Sequence, residues 1–245
     1  MKVGVYVDGF NLYYGARAIC GQGVAGWRWL DIRNLTESCL PRTWTSQGAA
    51  LDHIVYCTAK VSGSRNPSSA KDQDVYVRAL RASGSIDMVE FGTFIQRVKF
   101  SPLVVPDGST MRPKYVRPAW PLMLKDASTE TDLPDTTFMV SYLHQEEKGS
   151  DVNVGTHLLL DVLEKSVDAA IVISNDSDLK LPIREARKRV PVGTLNPGSG
   201  QTAGDLRGQP TDGVGDHWWA PIRQHQYLSN QLPDPVNGLS KPNGW

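Results

Sequence analysis

The sequence predicts an α/β fold, a three-layer sandwich built on a central parallel sheet. The apolar run VGVYV (3–7), and DAAIVIS (168–174) around its apolar centre, read as strands buried on both faces. Helical spacing follows each run within a few residues. Strand and helix then alternate with short connections, the pattern of right-handed βαβ units covered on both sides.

Taken in order, Val3–Val7 is the first strand, and a tight Asp8-Gly9 turn leads into a helix over Asn11–Ile19. Residues 22–48, rich in Gly, Ser, Thr and Trp, are expected to be mostly irregular, with a short helix near Asp31–Leu40. Leu51–Lys60 is a second strand. Lys71–Ala82 is a helix, with Val75, Ala79 and Leu80 at helical spacing. Ile86–Phe100 reads as a strand broken near Gly92. Prolines recur through residues 101–142 among β-like pieces such as KYVRPAW and TTFMVSYL, which predicts an inserted antiparallel β flap. Asp151–Glu164 is a helix, with Val152, Gly155, Leu159, Val162 and Leu163 expected on one face. Asp168–Ser174 is a third core strand, Pro182–Val190 a helix, and Val192–Asn196 a last short strand stopped by Pro197-Gly198. One domain over 1–197 results. The extension over 198–245 is rich in Gly and Pro but carries Trp218, Trp219 and Trp245, so it is expected to pack on the domain.

Composition sets outer limits. At 245 residues, 40% hydrophobic and 21% charged, the chain can bury a sizeable core, and its formal net charge is zero. Any nucleic-acid role must therefore rest on a local patch. Cys20, Cys39 and Cys57 form no CxxC pair, which points to small buried side chains in a reducing cytoplasm. The first apolar run is too short for a signal-peptide core, and no stretch approaches a membrane span. A soluble, cytoplasmic protein is the expectation.

Acids stand where such sheets bind ligands. Asp8 ends the first strand, and Asp176 and Asp178 lie just past the strand that ends at Ser174. If those strands are neighbours at the point where strand order reverses, their carboxylates converge outside the sheet. Clustered carboxylates repel, and oxygen-only donors suit Mg²⁺ or Mn²⁺, which can activate a water and stabilise a leaving oxygen. Asp151 joins only if its helix is entered from the same end. Plainer readings exist for each residue: a turn for Asp8, a cap for Asn11, first-turn acids for Asp176 and Asp178, and a cap for Asp151.

At these residues the chain resembles a known family. YVDGFNLYY, with Asp8 and Asn11, EKGSDVNVGTHLLLD, with Lys148 and Asp151, and VISNDSDLKLPI, with Asp176 and Asp178, are similar to the NYN domain, a LabA-like branch of the PIN-like nucleases. The resemblance covers 1–100 and 143–196. It implies a PIN-like sandwich with about five parallel strands and a pocket holding Mg²⁺ or Mn²⁺. It also implies hydrolysis of RNA phosphodiesters, a metal-dependent ribonuclease. By matching position, Asp8, Asp176 and Asp178 would be catalytic metal ligands and Asp151 a ligand or outer-sphere acid. Asn11 would orient a ligand water or a phosphate, and Ser174 and Asn175 would shape the loop. Lys148 reads either as a phosphate contact or as an exposed side chain. One departure matters: where many relatives place a further acid, this chain has His157, which also reads as a histidine packed on a helix flank.

RNA as a substrate would need cations nearby. Arg112, Lys114 and Arg117 across the flap, with Tyr115 and Trp120 interleaved, and Arg184 and Arg187 on the Pro182 helix are the candidates. Competing readings are a non-catalytic RNA- or partner-binding module and a phosphohydrolase using Asp8 as nucleophile. The latter lacks its second Asp, because Phe10 occupies that position. A receiver-like switch also clusters acids, and a Rossmann dinucleotide site lacks its GxGxxG. A homodimer is left open.

Overall fold

A computed structural model describes residues 1–63 and 66–245. The chain divides into two units, one made of residues 1–94 and 147–245 and the other of residues 95–146.

The larger unit is built on strands whose side chains are buried on both faces. β1 (Lys2–Asp8) lies between β2 (Ala50–Ala59) and β7 (Ala169–Ile173), parallel to both. β3 (Met88–Pro102) follows β2, and β8 (Val192–Asn196) follows β7, again in parallel. The order β3-β2-β1-β7-β8 reverses between β1 and β7, so the chain winds outward in both directions from that seam.

Alternation along β1 divides the core. Val3, Val5 and Val7 face one layer, with α1 (Gly9–Cys20), α2 (Ile32–Ser38), α3 (Arg42–Thr45), α4 (Pro67–Ala82) and α8 (Gln224–Ser229) contributing to it. Tyr6 faces the other, with α5 (Ser150–Leu163), α6 (Lys180–Arg187) and α7 (Gly204–Arg207). This is the mixed α/β sandwich with a mostly parallel sheet that the alternating pattern predicts.

The sheet is wider than the five strands implied by resemblance. β9 (Trp218–Pro221) extends it beyond β8 in parallel, and β6 (Met139–Lys148) flanks β3 at the other edge. No sequence signal marked β9, because WWAP is short and lies among Gly and Pro. Its seating depends on Gly193, whose missing side chain leaves room for the Trp218 ring; an added Cβ would meet Trp218 Nε1 at 2.9 Å and overlap the ring carbons. The rest of the extension covers the first layer. Tyr227 is fully buried and donates to the Pro197 carbonyl at 2.7 Å, and Leu232 N–H donates to the Trp29 carbonyl at 2.8 Å.

Several local expectations change. The stretch before β2 is mostly irregular with a short helix, α2, as expected, but its Trp27, Trp29 and Trp44 are core residues that the sequence pattern did not mark as such. β3 runs through Gly92 unbroken. On α5 the buried stripe is Val154, Gly155, Leu158 and Val162, while Val152 and Leu163 are exposed. Both faces have helical spacing; the buried stripe runs through Val154, Leu158 and Val162, one residue before the expected Gly155, Leu159 and Leu163. α6 begins earlier than Pro182, after a 3₁₀ turn over Ser177–Leu179.

The smaller unit contains the outer parts of β3 and β6 and a hairpin of β4 (Val104–Pro106) and antiparallel β5 (Pro113–Tyr115). Among the described residues no helix is long and apolar enough to cross a membrane.

Candidate functional site at the carboxyl edge of the sheet

Asp8 occupies the last position of β1, at the seam where strand order reverses. It serves as the N-cap of α1, accepting from Asn11 N–H through Oδ1 at 3.0 Å. Ser174, immediately after β7, donates through Oγ to Asp8 Oδ2 at 3.2 Å. Asn11 returns the link: its Oδ1 accepts from Asn175 N–H at 2.9 Å. Parallel pairing of β1 with β7 brings these residues together from 166 positions apart. The predicted group Asp8, Asn11, Ser174 and Asn175 is thus one hydrogen-bonded cluster.

Its electrostatics are unusual for an aspartate. Asp8 is only 6% exposed, and its pKa rises to about 6. Burial is the main cause, since a carboxylate loses hydration there. Hydrogen bonds from Asn11 and Ser174 oppose the rise, while the negative charges of Glu147 and Asp176 add to it. Cys57 pairs with Asp8 across β1 and β2, and its thiol is pushed up to about 12 by burial and then by the charges of Asp8 and Glu90. It is a buried, unreactive thiol.

The other acids are arranged differently from the expected cluster. Asp176 is half-buried and caps the 3₁₀ turn, its Oδ1 accepting from Asp178 N–H at 3.0 Å. Asp178 is exposed. Asp151 is a half-buried first-turn acid of α5. His157 lies 3.6 Å from Glu90 on the flank of the same helix. Among the described residues no group of three or more His, Cys, Asp or Glu side chains is placed to hold a metal ion. Asp8 is buried within the sheet edge while Asp178 is exposed, and Asp8 and Asp176 serve as helix caps.

Two features of the site escaped sequence reasoning. Glu147 sits at the end of β6 and accepts from Ser150 N–H at 3.0 Å, holding the turn into α5. That turn presses on Gly92 so closely that an added Cβ would overlap the Lys148 carbonyl and lie 3.0 Å from Glu147 Oε1. The β-like piece TTFMVSYL stops at Leu143, and the polar residues that follow give no strand signal to place Glu147. The second feature is aromatic. Phe10 stacks on Tyr14 with ring centroids 6.2 Å apart and meets Phe94 edge-on at 5.3 Å. The i, i+4 spacing of Phe10 and Tyr14 on a helix was the available signal.

The expected cationic surface also changes. Arg187 is buried, donating to the Leu206 and Arg207 carbonyls at 2.6 and 2.9 Å, so it anchors α7 and cannot reach RNA. Arg184 is exposed beside Glu185. Lys148 is exposed at the last position of β6, before the turn into α5. Arg112, Lys114 and Arg117 are exposed in the smaller unit, where Arg117 donates to the Asp135 carbonyl.

No family model matches the chain. It is 28% identical, over a 270-residue alignment, to 6-hydroxy-3-succinoylpyridine 3-monooxygenase HspA of Pseudomonas putida; the alignment covers 100% of this chain and 75% of that protein. A crystal structure of a protein of unknown function from Vibrio parahaemolyticus aligns with 90% of this chain and 92% of its own, at 14% identity and a TM-score of 0.43. The similarity to a monooxygenase, which spans all of this chain, corrects the functional expectation. Ribonuclease and other hydrolase activity is withdrawn on that ground, together with the alternatives built on the same acids. The metal-binding character is withdrawn because the carboxylates are not grouped for it.

Proposed function

We propose that this chain is an oxidoreductase of the monooxygenase type, acting on a small hydroxylated nitrogen heteroaromatic at the carboxyl edge of the sheet. The observation that carries the reading is the similarity, along the whole chain, to 6-hydroxy-3-succinoylpyridine 3-monooxygenase. The side chains around Asp8 supply suitable chemistry. A hydroxylated ring becomes electron-rich enough to take an oxygen atom once its O–H, or the N–H of its tautomer, gives up a proton. A carboxylate with a pKa of about 6 is ionised at neutral pH and more basic than an ordinary aspartate, as a general base should be. Phe10, Tyr14 and Phe94 offer flat apolar surface for a planar ring. Glu147 and Asp176 favour the N–H or O–H end of such a substrate over a carboxylate end. Monooxygenation consumes one O₂, two electrons and two protons, leaving one oxygen in the product and one in water. We also read the scaffold as NYN-type and PIN-like, on the three motifs and the β3-β2-β1-β7-β8 order.

The test supplies purified protein with O₂, a reduced nicotinamide, a flavin and 6-hydroxy-3-succinoylpyridine. O₂ uptake should rise on adding the pyridine, and labelled O₂ should place one labelled oxygen in the product. Reductant oxidation that ignores the pyridine, with no label incorporated, would falsify the proposal.

A further inference from the structure

We propose that residues 95–146 form a docking surface for a second copy of this chain, joined through antiparallel pairing of β6 with its own copy about a two-fold axis near Leu143. The unit is short of interior. Among the described residues it contributes no large hydrophobic side chain to the buried core, yet it carries more than half of the chain's exposed large hydrophobics in about a fifth of its length. Val98 is 62% exposed, Phe100 73% and Trp120 90%.

Residues 95–98 of β3 and 139–143 of β6 are exposed in unbroken succession. Successive side chains of a strand point to opposite faces, so both faces of this ribbon are bare. A two-stranded ribbon with neither face covered is marginal in water. β6 is also the outermost strand at its end of the sheet, which leaves a row of backbone donors and acceptors open for pairing.

The occupant must offer apolar side chains and a strand edge together. Charge narrows the choice. Residues 95–146 hold six Lys or Arg and six Asp or Glu, a balance that gives no net field for a polyanion or an anionic membrane. Arg97 already pairs with Glu146 at 3.2 Å within the unit. A second copy meets both demands, and because the positive and negative charges of residues 95–146 balance, two such surfaces carry no net repulsion. A standard interface covers ~800 Å² per partner, and the exposed side chains of β3 and β6, Val98, Phe100, Met139 and Leu143 among them, supply apolar surface for it.

Sedimentation velocity on the full chain, over a wide concentration range, tests this. The wild type should be a dimer. Val98→Glu combined with Leu143→Glu should raise the concentration for dimerisation at least ~10-fold, while the far-UV spectrum stays unchanged because both sites are exposed in the single chain. Leu143→Cys, separately, should give a covalent dimer on mild oxidation that the native cysteines do not give. A wild type monomeric at every concentration overturns the proposal. So does a dimer indifferent to the double substitution, a Leu143→Cys variant that dimerises without becoming cross-linked, or capture of single-stranded RNA or anionic vesicles by this surface in place of self-association.

Discussion

Asp8 combines two roles that pull in opposite directions. As a helix cap it gains from its hydrogen bonds, but as a buried charge beside Glu147 it loses hydration and meets repulsion. Its pKa is about 6 folded and 3.8 as the reference value, so the folded state binds the proton more tightly. The stability this provides is complete below pH 3.8 and is lost as pH rises through 6. Asn caps helices as well as Asp does. Asp8→Asn should therefore match the wild type near pH 4 and exceed it by up to ~3 kcal/mol at pH 8 in urea unfolding, while losing monooxygenase turnover. A variant less stable than wild type at pH 8 would show that the charge is compensated by something else. Glu147→Gln keeps the acceptor for Ser150 N–H and removes the nearby negative charge. The acid limb of kcat/KM, expected near pH 6, should then move to lower pH, and an NMR titration of the Asp8 carboxyl should move with it. An unmoved limb would exclude Asp8 as the titrating base.

At the scale of elements, the sequence made some parts legible and hid others for definite reasons. Uninterrupted apolar runs such as VGVYV and AAIVI can hardly be anything but strands inside a covered sheet, and their order placed Asp8 beside Ser174 and Asn175. Glu147 was hidden because its strand begins in proline-rich surroundings and carries polar residues at its end. The chemistry of the acids was hidden for another reason: residue type and strand-end position are visible in a sequence, but the spatial grouping of the carboxylates is not. The corner between β6 and α5 offers a direct test of how tightly Glu147 must be placed. Gly92→Ala would drive a methyl group into the Lys148 carbonyl, so the corner has to shift. The expected cost is ~1–3 kcal/mol of stability, with a larger loss of turnover than of melting temperature. Full turnover in this variant would mean that the corner does not set the site.

For the whole molecule, the extension over 198–245 is part of the core. Ile222, Tyr227, Leu232 and Val236 are buried in the same layer as Trp27, Trp29 and Trp44, and β9 pairs along β8. A chain ending at residue 197 should lose cooperative unfolding and bind a hydrophobic dye, as a packed interior left uncovered does; a sharp thermal transition in that fragment would refute this. Trp218, Trp219 and Trp245 made the extension's packing on the domain legible in the sequence, whereas the surrounding Gly and Pro hid that it adds a strand and buried core residues.

The same arrangement has a consequence for biosynthesis. Trp29 and Leu30 are translated early, but Leu232 and Gln231, which hydrogen-bond or bridge to them, leave the ribosome some two hundred residues later. The first layer stays unfinished through most of elongation, an interval in which exposed tryptophan surface attracts holdase chaperones.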